Sequence, residues 1–138
     1  MAKLRTPTKT IKQVITLSAP APVVFEALAN PKIHSVFTSA KATGRTRIGA
    51  KVTAHDGYIE GRILEVIPGR KIVQEWKTSE WPEGFPPSHL VWSIVKTARG
   101  SRLTMIHSCV PAGQAARYRQ GWHEYYWTPL KAYLATRS

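Results

Sequence analysis

From Ile11 to Leu17 the apolar positions Ile11, Ile15 and Leu17 alternate with Lys12, Thr16 and Ser18, a period of two that predicts a half-buried strand. Ser18 and the prolines at 20 and 22 then mark the start of a helix. Val23, Val24, Ala27 and Leu28 keep helical spacing until Asn30 and Pro31 stop it. A short second helix is predicted around Lys32 to Val36. The pattern changes between Ser39 and Val110. Gly44, Gly49, Gly57, Pro68-Gly69, the stretch Pro82 to Pro87 and Arg99-Gly100 cut that region into short runs, namely Lys51 to Ala54, Tyr58 to Ile67, Lys71 to Lys77, Leu90 to Lys96 and Arg102 to Val110. Consecutive strands joined by short turns predict an antiparallel meander. From Gln114 to Ala135 the apolar spacing becomes three and four residues, through Tyr118, Trp122, Tyr125, Tyr126, Leu130 and Leu134, and predicts one long helix. Pro129 lies inside it without a backbone donor, so a kink or local loosening is expected near Tyr125.

This order of elements predicts an α+β domain. A curved antiparallel sheet of six to seven strands wraps around a long C-terminal helix, with two short helices after the first strand. Residues 1–9 mix Thr, Pro and basic side chains without periodicity and read as a flexible leader, with a single domain over residues 10–138. A bent sheet touches a straight helix along only part of its length. The uncovered part predicts a concavity lined by inward side chains.

Composition narrows the classes. The hydrophobic share of 43% suits a packed interior, while no apolar run approaches the ~20 residues of a membrane span, and the basic start is followed by no secretory apolar segment. The cytoplasm is the expected location. Cys109 is the sole cysteine, which excludes an intramolecular disulfide and a thiolate metal cluster, and it reads as a small buried apolar residue. Twenty Lys and Arg against eight Asp and Glu give a formal charge of +12. That charge fits either an acidic partner or a solvated basic surface, since no block of five or six like charges occurs. The densest group, Lys41, Arg45, Arg47 and Lys51, is expected on two neighbouring strands, where such charges block edge-to-edge pairing.

Motifs of catalysis are missing. No nucleophile motif and no Gly-rich phosphate loop occur, and Arg70-Lys71 follow Pro68-Gly69 as hairpin residues. His123-Glu124 are adjacent and point apart, and His55-Asp56 precede Gly57 as turn residues, so neither a metal nor a cofactor is predicted. His107 shares a strand face with Leu103 and Met105. It is either a polar anchor or proton-transfer group, with one of Glu60, Glu65 and Glu75 facing inward beside it, or a core histidine satisfied by its neighbours. Phe37, Trp76, Trp92, Trp122 and Tyr126 come from separate elements and, with Met105 and His107, form the candidate ligand-binding set; the other reading is that these rings fill the core. Trp81, in the Pro-rich loop Trp81 to Pro87, is expected as an exposed ring for a ligand or protein partner. Aromatic residues do not interleave with a basic stripe, so nucleic acid is not an expected partner.

Several strings carry a family resemblance. They are Ser79-Glu80-Trp81-Pro82-Glu83-Gly84, Val110-Pro111 and Gln120-Gly121-Trp122-His123-Glu124-Tyr125-Tyr126-Trp127, with Phe37-Thr38-Ser39-Ala40, Gly61 with Val66 and Pro68, and Leu103 to His107 beside them. Over about residues 11–135 the chain resembles the START-like, SRPBCC superfamily, and within it the AHSA-type group named for activators of the ninety-kilodalton heat-shock chaperone ATPase. The resemblance implies a helix-grip fold with a cavity between sheet and terminal helix. It also implies one of three functions: binding a small hydrophobic molecule there, docking on a heat-shock chaperone through the surface, or a cyclase- or hydrolase-like reaction using His107. Eukaryotic members of the group also carry an N-terminal chaperone-binding domain, and here the N-terminal part is a short leader. A homodimer is compatible with all three.

Overall fold

A computed structural model describes residues 7–136 of the chain. Strand β1 runs Thr8–Leu17, with Ile11, Gln13, Ile15 and Leu17 buried and the residues between them exposed. It therefore begins inside the stretch expected to be a leader, of which residues 1–6 lie outside the described residues. Helices α1, Ala21–Ala29, and α2, Pro31–Thr38, follow with only Asn30 between them. Asn30 leaves α1 in an extended conformation, and its side-chain oxygen accepts the Lys32 backbone N–H at 2.9 Å. Pro31 fills the first turn, where its missing donor has no intrahelical partner to lose. The short second helix is thus set mainly by its cap.

Strands β2 (Lys51–Ala54), β3 (Ile59–Ile67), β4 (Lys71–Thr78), β5 (Ser88–Thr97) and β6 (Gly100–Pro111) complete a six-stranded sheet in the order β1-β6-β5-β4-β3-β2. Every pairing is antiparallel. The register shifts between Lys9 and Ile11 where β1 meets β6, and between Ile63 and Glu65 where β3 meets β4; such bulges bend a sheet. Near the second, a β-carbon on Gly61 would stand 1.8 Å from the Glu75 carbonyl oxygen, so only glycine allows β3 this close to β4. The first bulge corrects the reading of Cys109. His107 and Val110 are both fully buried although three residues apart, and the extra residue between them turns Cys109 out to solvent with φ of 60°. Lys41, Arg45 and Arg47 also differ from expectation. They lie in a loop attached to β2 by a Thr43–Thr53 bridge, so that of the four only Lys51 is in a strand.

The C-terminal helix is built in sections: α3, Ala112–Gly121, a π-helical stretch, Trp122–Trp127, and α4, Thr128–Ala135. Pro129 explains the middle one. It offers no N–H to the carbonyl four residues back, at Tyr125, and the turn widens so that the Thr128 N–H reaches back to His123. This is the loosening expected near Tyr125. The helix packs against α2, β1 and β6 and buries Tyr118, Trp122, Tyr126, Trp127, Leu130 and Leu134. A buried bridge ties it to β1: Trp127 Nε1 donates to Gln13 Oε1 at 2.6 Å, and Gln13 Nε2 donates to the Arg119 carbonyl at 3.0 Å. Among the described residues no helix is long and apolar enough to cross a membrane.

Candidate functional site

Burial of so many rings between sheet and helix obliges their polar atoms to find partners, since an unpaired buried donor costs about 1–3 kcal/mol. At His107 the solution is complete. Trp122 Nε1 donates to His107 Nδ1 at 3.1 Å, which leaves the ring proton on Nε2, 2.8 Å from Ser88 Oγ; the Ser88 hydroxyl then donates to the Trp76 carbonyl at 2.6 Å. Burial lowers the His107 pKa from 6.5 to about 3, so the ring is neutral at neutral pH. Ser88 and His107 have the composition of a nucleophile and its base, but the proton runs from histidine to serine, and no carboxylate orients the ring. Both side chains are sealed, at 1% and 0% exposure. The pair is built to hold Trp76 and Trp122 in place.

A second histidine does similar work under the other helices. His34 Nδ1 donates to the Leu28 carbonyl at 3.1 Å, and the Tyr126 hydroxyl donates to Nε2 at 2.8 Å, linking α2 to the C-terminal helix. Desolvation, aided by His55 and opposed by the Leu28 bond, lowers its pKa to about 4. Burial likewise raises that of Tyr126. Around these bonds the rings interlock: Trp76 lies 4.5 Å from His107, Trp122 lies 4.7 Å from Tyr126, and Trp92 lies 6.1 Å from Trp122. Beside Trp92 and His34 the packing leaves a small space of about 40 Å³.

A larger, open space lies at one end of this packing. A cleft of about 450 Å³ runs between the β2–β3 turn and β3–β4 on one side and the wide turn of the C-terminal helix on the other. Its walls include the rings of Trp76, Tyr118, Trp122, Tyr125 and Tyr126. One rim is hydrogen-bonded shut. The Tyr58 hydroxyl donates to Glu80 at 2.5 Å, Arg117 pairs with the same carboxylate at 3.5 Å, and Gln114 donates to the Glu80 carbonyl at 2.9 Å. Tyr118 donates to Gln114 at 2.6 Å and stands 2.8 Å from the Thr78 hydroxyl. Burial, reinforced by Glu80, pushes the Tyr58 pKa up to about 12. Just before Tyr58 in the chain, the short 3-10 turn His55–Gly57 also borders the cleft.

The structure brings the whole sequence-predicted set into one cluster. Trp76, Trp122 and Tyr126 border the cleft, while Phe37, Trp92, Met105 and His107 lie among the buried core residues, away from its lining. The glutamates do not meet His107. Glu60 pairs with Lys51 at 3.6 Å, Glu65 pairs with Lys71 at 3.5 Å, and Glu75 stands opposite His89 in the sheet register. Trp81 is half-buried where an exposed ring was expected. It stacks on Tyr118 at 6.1 Å and donates to the Pro86 carbonyl at 2.9 Å, because its loop folds back over the rim. Residues that pattern reading passed over include His34, His55, Tyr58, Arg117 and Tyr118. For Tyr118 the helical stripe was a signal; for His55 a turn motif was the only one.

Walls of this kind receive a flat apolar body and orient it with few polar contacts. Residues 18–135 match the family described as "Activator of Hsp90 ATPase homolog 1-like protein". A human protein, "Activator of 90 kDa heat shock protein ATPase homolog 1", is 30% identical over 108 residues, which are 78% of this chain and 32% of that protein. The chain thus spans about a third of the length of that curated relative. An HSP90 activator from Plasmodium falciparum superposes with a TM-score of 0.80 at 21% identity, covering 93% of this chain and 96% of that one. The Aha1 dimer from Colwellia psychrerythraea gives 0.76 at 14% identity, over 89% and 93%. The element order, the six-stranded helix-grip sheet and the match over most of its length agree that this chain belongs to the activator of Hsp90 ATPase homolog 1-like family.

Proposed function

We propose that the protein binds a small, flat hydrophobic molecule in the cleft beside the wide turn of its C-terminal helix. One observation carries this reading: an aromatic-walled space of about 450 Å³ stays open beside an interior filled elsewhere by interlocked rings. That volume falls within the roughly 300–1,000 Å³ usual for ligand sites. In this reading Trp76, Trp122 and Tyr126 touch the ligand. Phe37, Trp92, Met105 and His107 pack behind them and fix their orientation. Thermal unfolding with a panel of lipids, flavonoids and polyketides tests it, because a ligand at a hundred times its dissociation constant adds ~2.7 kcal/mol of stability. A panel that moves neither the midpoint nor the amide resonances of Trp122 and Tyr125 rejects the reading.

A second reading is favoured by the charge and the relatives together. A formal charge of +12, set against the few exposed ion pairs among the described residues, suits docking on an acidic face of a heat-shock chaperone, the partner that the human and Plasmodium proteins are named for. Association should then weaken steeply with salt, since exposed charges are screened beyond about 10 Å at ~0.1 M. Purified cytoplasmic ninety-kilodalton chaperone that is not retained at low salt counts against it.

A further inference from the structure

We propose that His55 is the polar anchor of the cleft and that the molecule it receives is a hydroxylated aromatic compound. This rests on the cleft being the binding site.

The turn that carries His55 does not need its imidazole. His55, Asp56 and Gly57 take successive left-handed φ values of 50°, 59° and 90°, a conformation uncommon for residues with a side chain. Asp56 holds that shape: its backbone N–H donates to the Lys41 carbonyl at 2.9 Å, and its carboxylate accepts the Lys41 N–H at 2.9 Å. Those bonds fix the rim and leave the imidazole presented to the cleft. There it meets rings. Tyr126 lies 5.3 Å away, and Tyr125 stands edge-on at 6.0 Å. Nε2 is shielded from solvent and has no hydrogen-bond partner, unlike the nitrogens of His34 and His107, all of which are bonded to the protein. Trp92 Nε1 is also without a partner, but it belongs beside the void of about 40 Å³, too small for an aromatic molecule.

The chemistry of the ligand follows from what surrounds that nitrogen. Desolvation lowers the His55 pKa against the opposing pull of Asp56, so the ring is neutral and presents either a donor or an acceptor at Nε2. A hydroxyl serves both tautomers. A carboxylate is less suited, because the cleft's guanidinium, Arg117, already faces Glu80, and Asp56 adds a negative charge to the lining. Of the two rings beside His55, Tyr126 is buried and Tyr125 is 57% exposed, so Tyr125 is the one with room to move as the hydroxyl approaches.

The test compares 2-naphthol with 2-methylnaphthalene, which matches its shape and lacks the oxygen, by amide chemical shifts in the wild-type chain and in His55→Phe. The ratio of the two dissociation constants should change by about tenfold in the variant, the size of one hydrogen bond, while 2-methylnaphthalene binds as before. His55→Ala, which removes the nitrogens without placing a larger ring in a left-handed turn, should change the ratio equally. If both probes shift cleft amides and the ratio is the same in all three proteins, His55 is not the anchor and the cleft stands. If neither probe shifts them, the cleft reading itself falls.

Discussion

His107 and His55 are both neutral imidazoles set against tryptophan or tyrosine rings, yet they belong to different kinds of place. His107 has each nitrogen bonded, to Trp122 and Ser88, inside a sealed layer. His55 sits on a turn held by other atoms, with Nε2 unbonded and covered beside the cleft. Saturated hydrogen bonding marks a histidine spent on architecture, and an unmet nitrogen beside a cavity leaves one bond for a visitor to make once a neighbouring ring moves. The strand pattern pointed to the first, and the geometry points to the second.

That contrast can be broken at several points. The largest effect is expected at the packed end, where Trp127→Ala should lower unfolding free energy in urea by roughly 3–5 kcal/mol, while Tyr125→Ala at the cleft stays within about 0.5 kcal/mol. Similar losses at both positions would mean that the helix has no packed and open ends. Acid gives the next. The unfolded chain takes up protons on His34 and His107 as pH falls through 6.5, whereas the folded chain resists until about 4 and about 3, so stability is whole above 6.5 and declines below it. Each should contribute a loss of roughly 2 kcal/mol by pH 5, read from urea midpoints across that range. A flat profile would mean that these rings are not sealed. His107→Leu should destabilise by about 1–3 kcal/mol at pH 7, because the Trp122 N–H loses its acceptor. The smallest change is expected for His55→Asn, a side chain that tolerates the left-handed turn, within about 0.5 kcal/mol in the same measurement. A cost there as large as that of His107→Leu would show that the His55 turn is structural after all.

Much of the architecture was written in local patterns. The alternation Ile11, Ile15, Leu17 fixed the inward face of β1, the glycine and proline breaks separated β2 to β6, and Pro129 announced the loosened turn. Failures occurred where a residue's setting depends on distant chain. Alternation could not count the extra residue between His107 and Val110, which turned Cys109 outward. Composition of the Trp81 loop said nothing about the Tyr118 ring it folds onto. The candidate site was legible as a set of rings from separate elements, but not which of them face empty space. That division depends on how deeply Tyr126 and Trp122 enter the hollow. His55 read as a turn residue because its neighbours in sequence are turn residues, while Tyr125 and Tyr126, which give it meaning, are seventy positions away.

The wide turn also resets the azimuth of everything beyond it. In a regular helix residues five apart point about 140° away from each other, at about 100° per step, and their side chains cannot meet. Trp122 and Trp127 are five apart and nonetheless lie face to face, 5.5 Å between centroids at 16°. A single imino acid thereby produces a phase slip that aims both indoles into the same layer, so that a side chain one residue out of step with a regular helix becomes part of the packed interior.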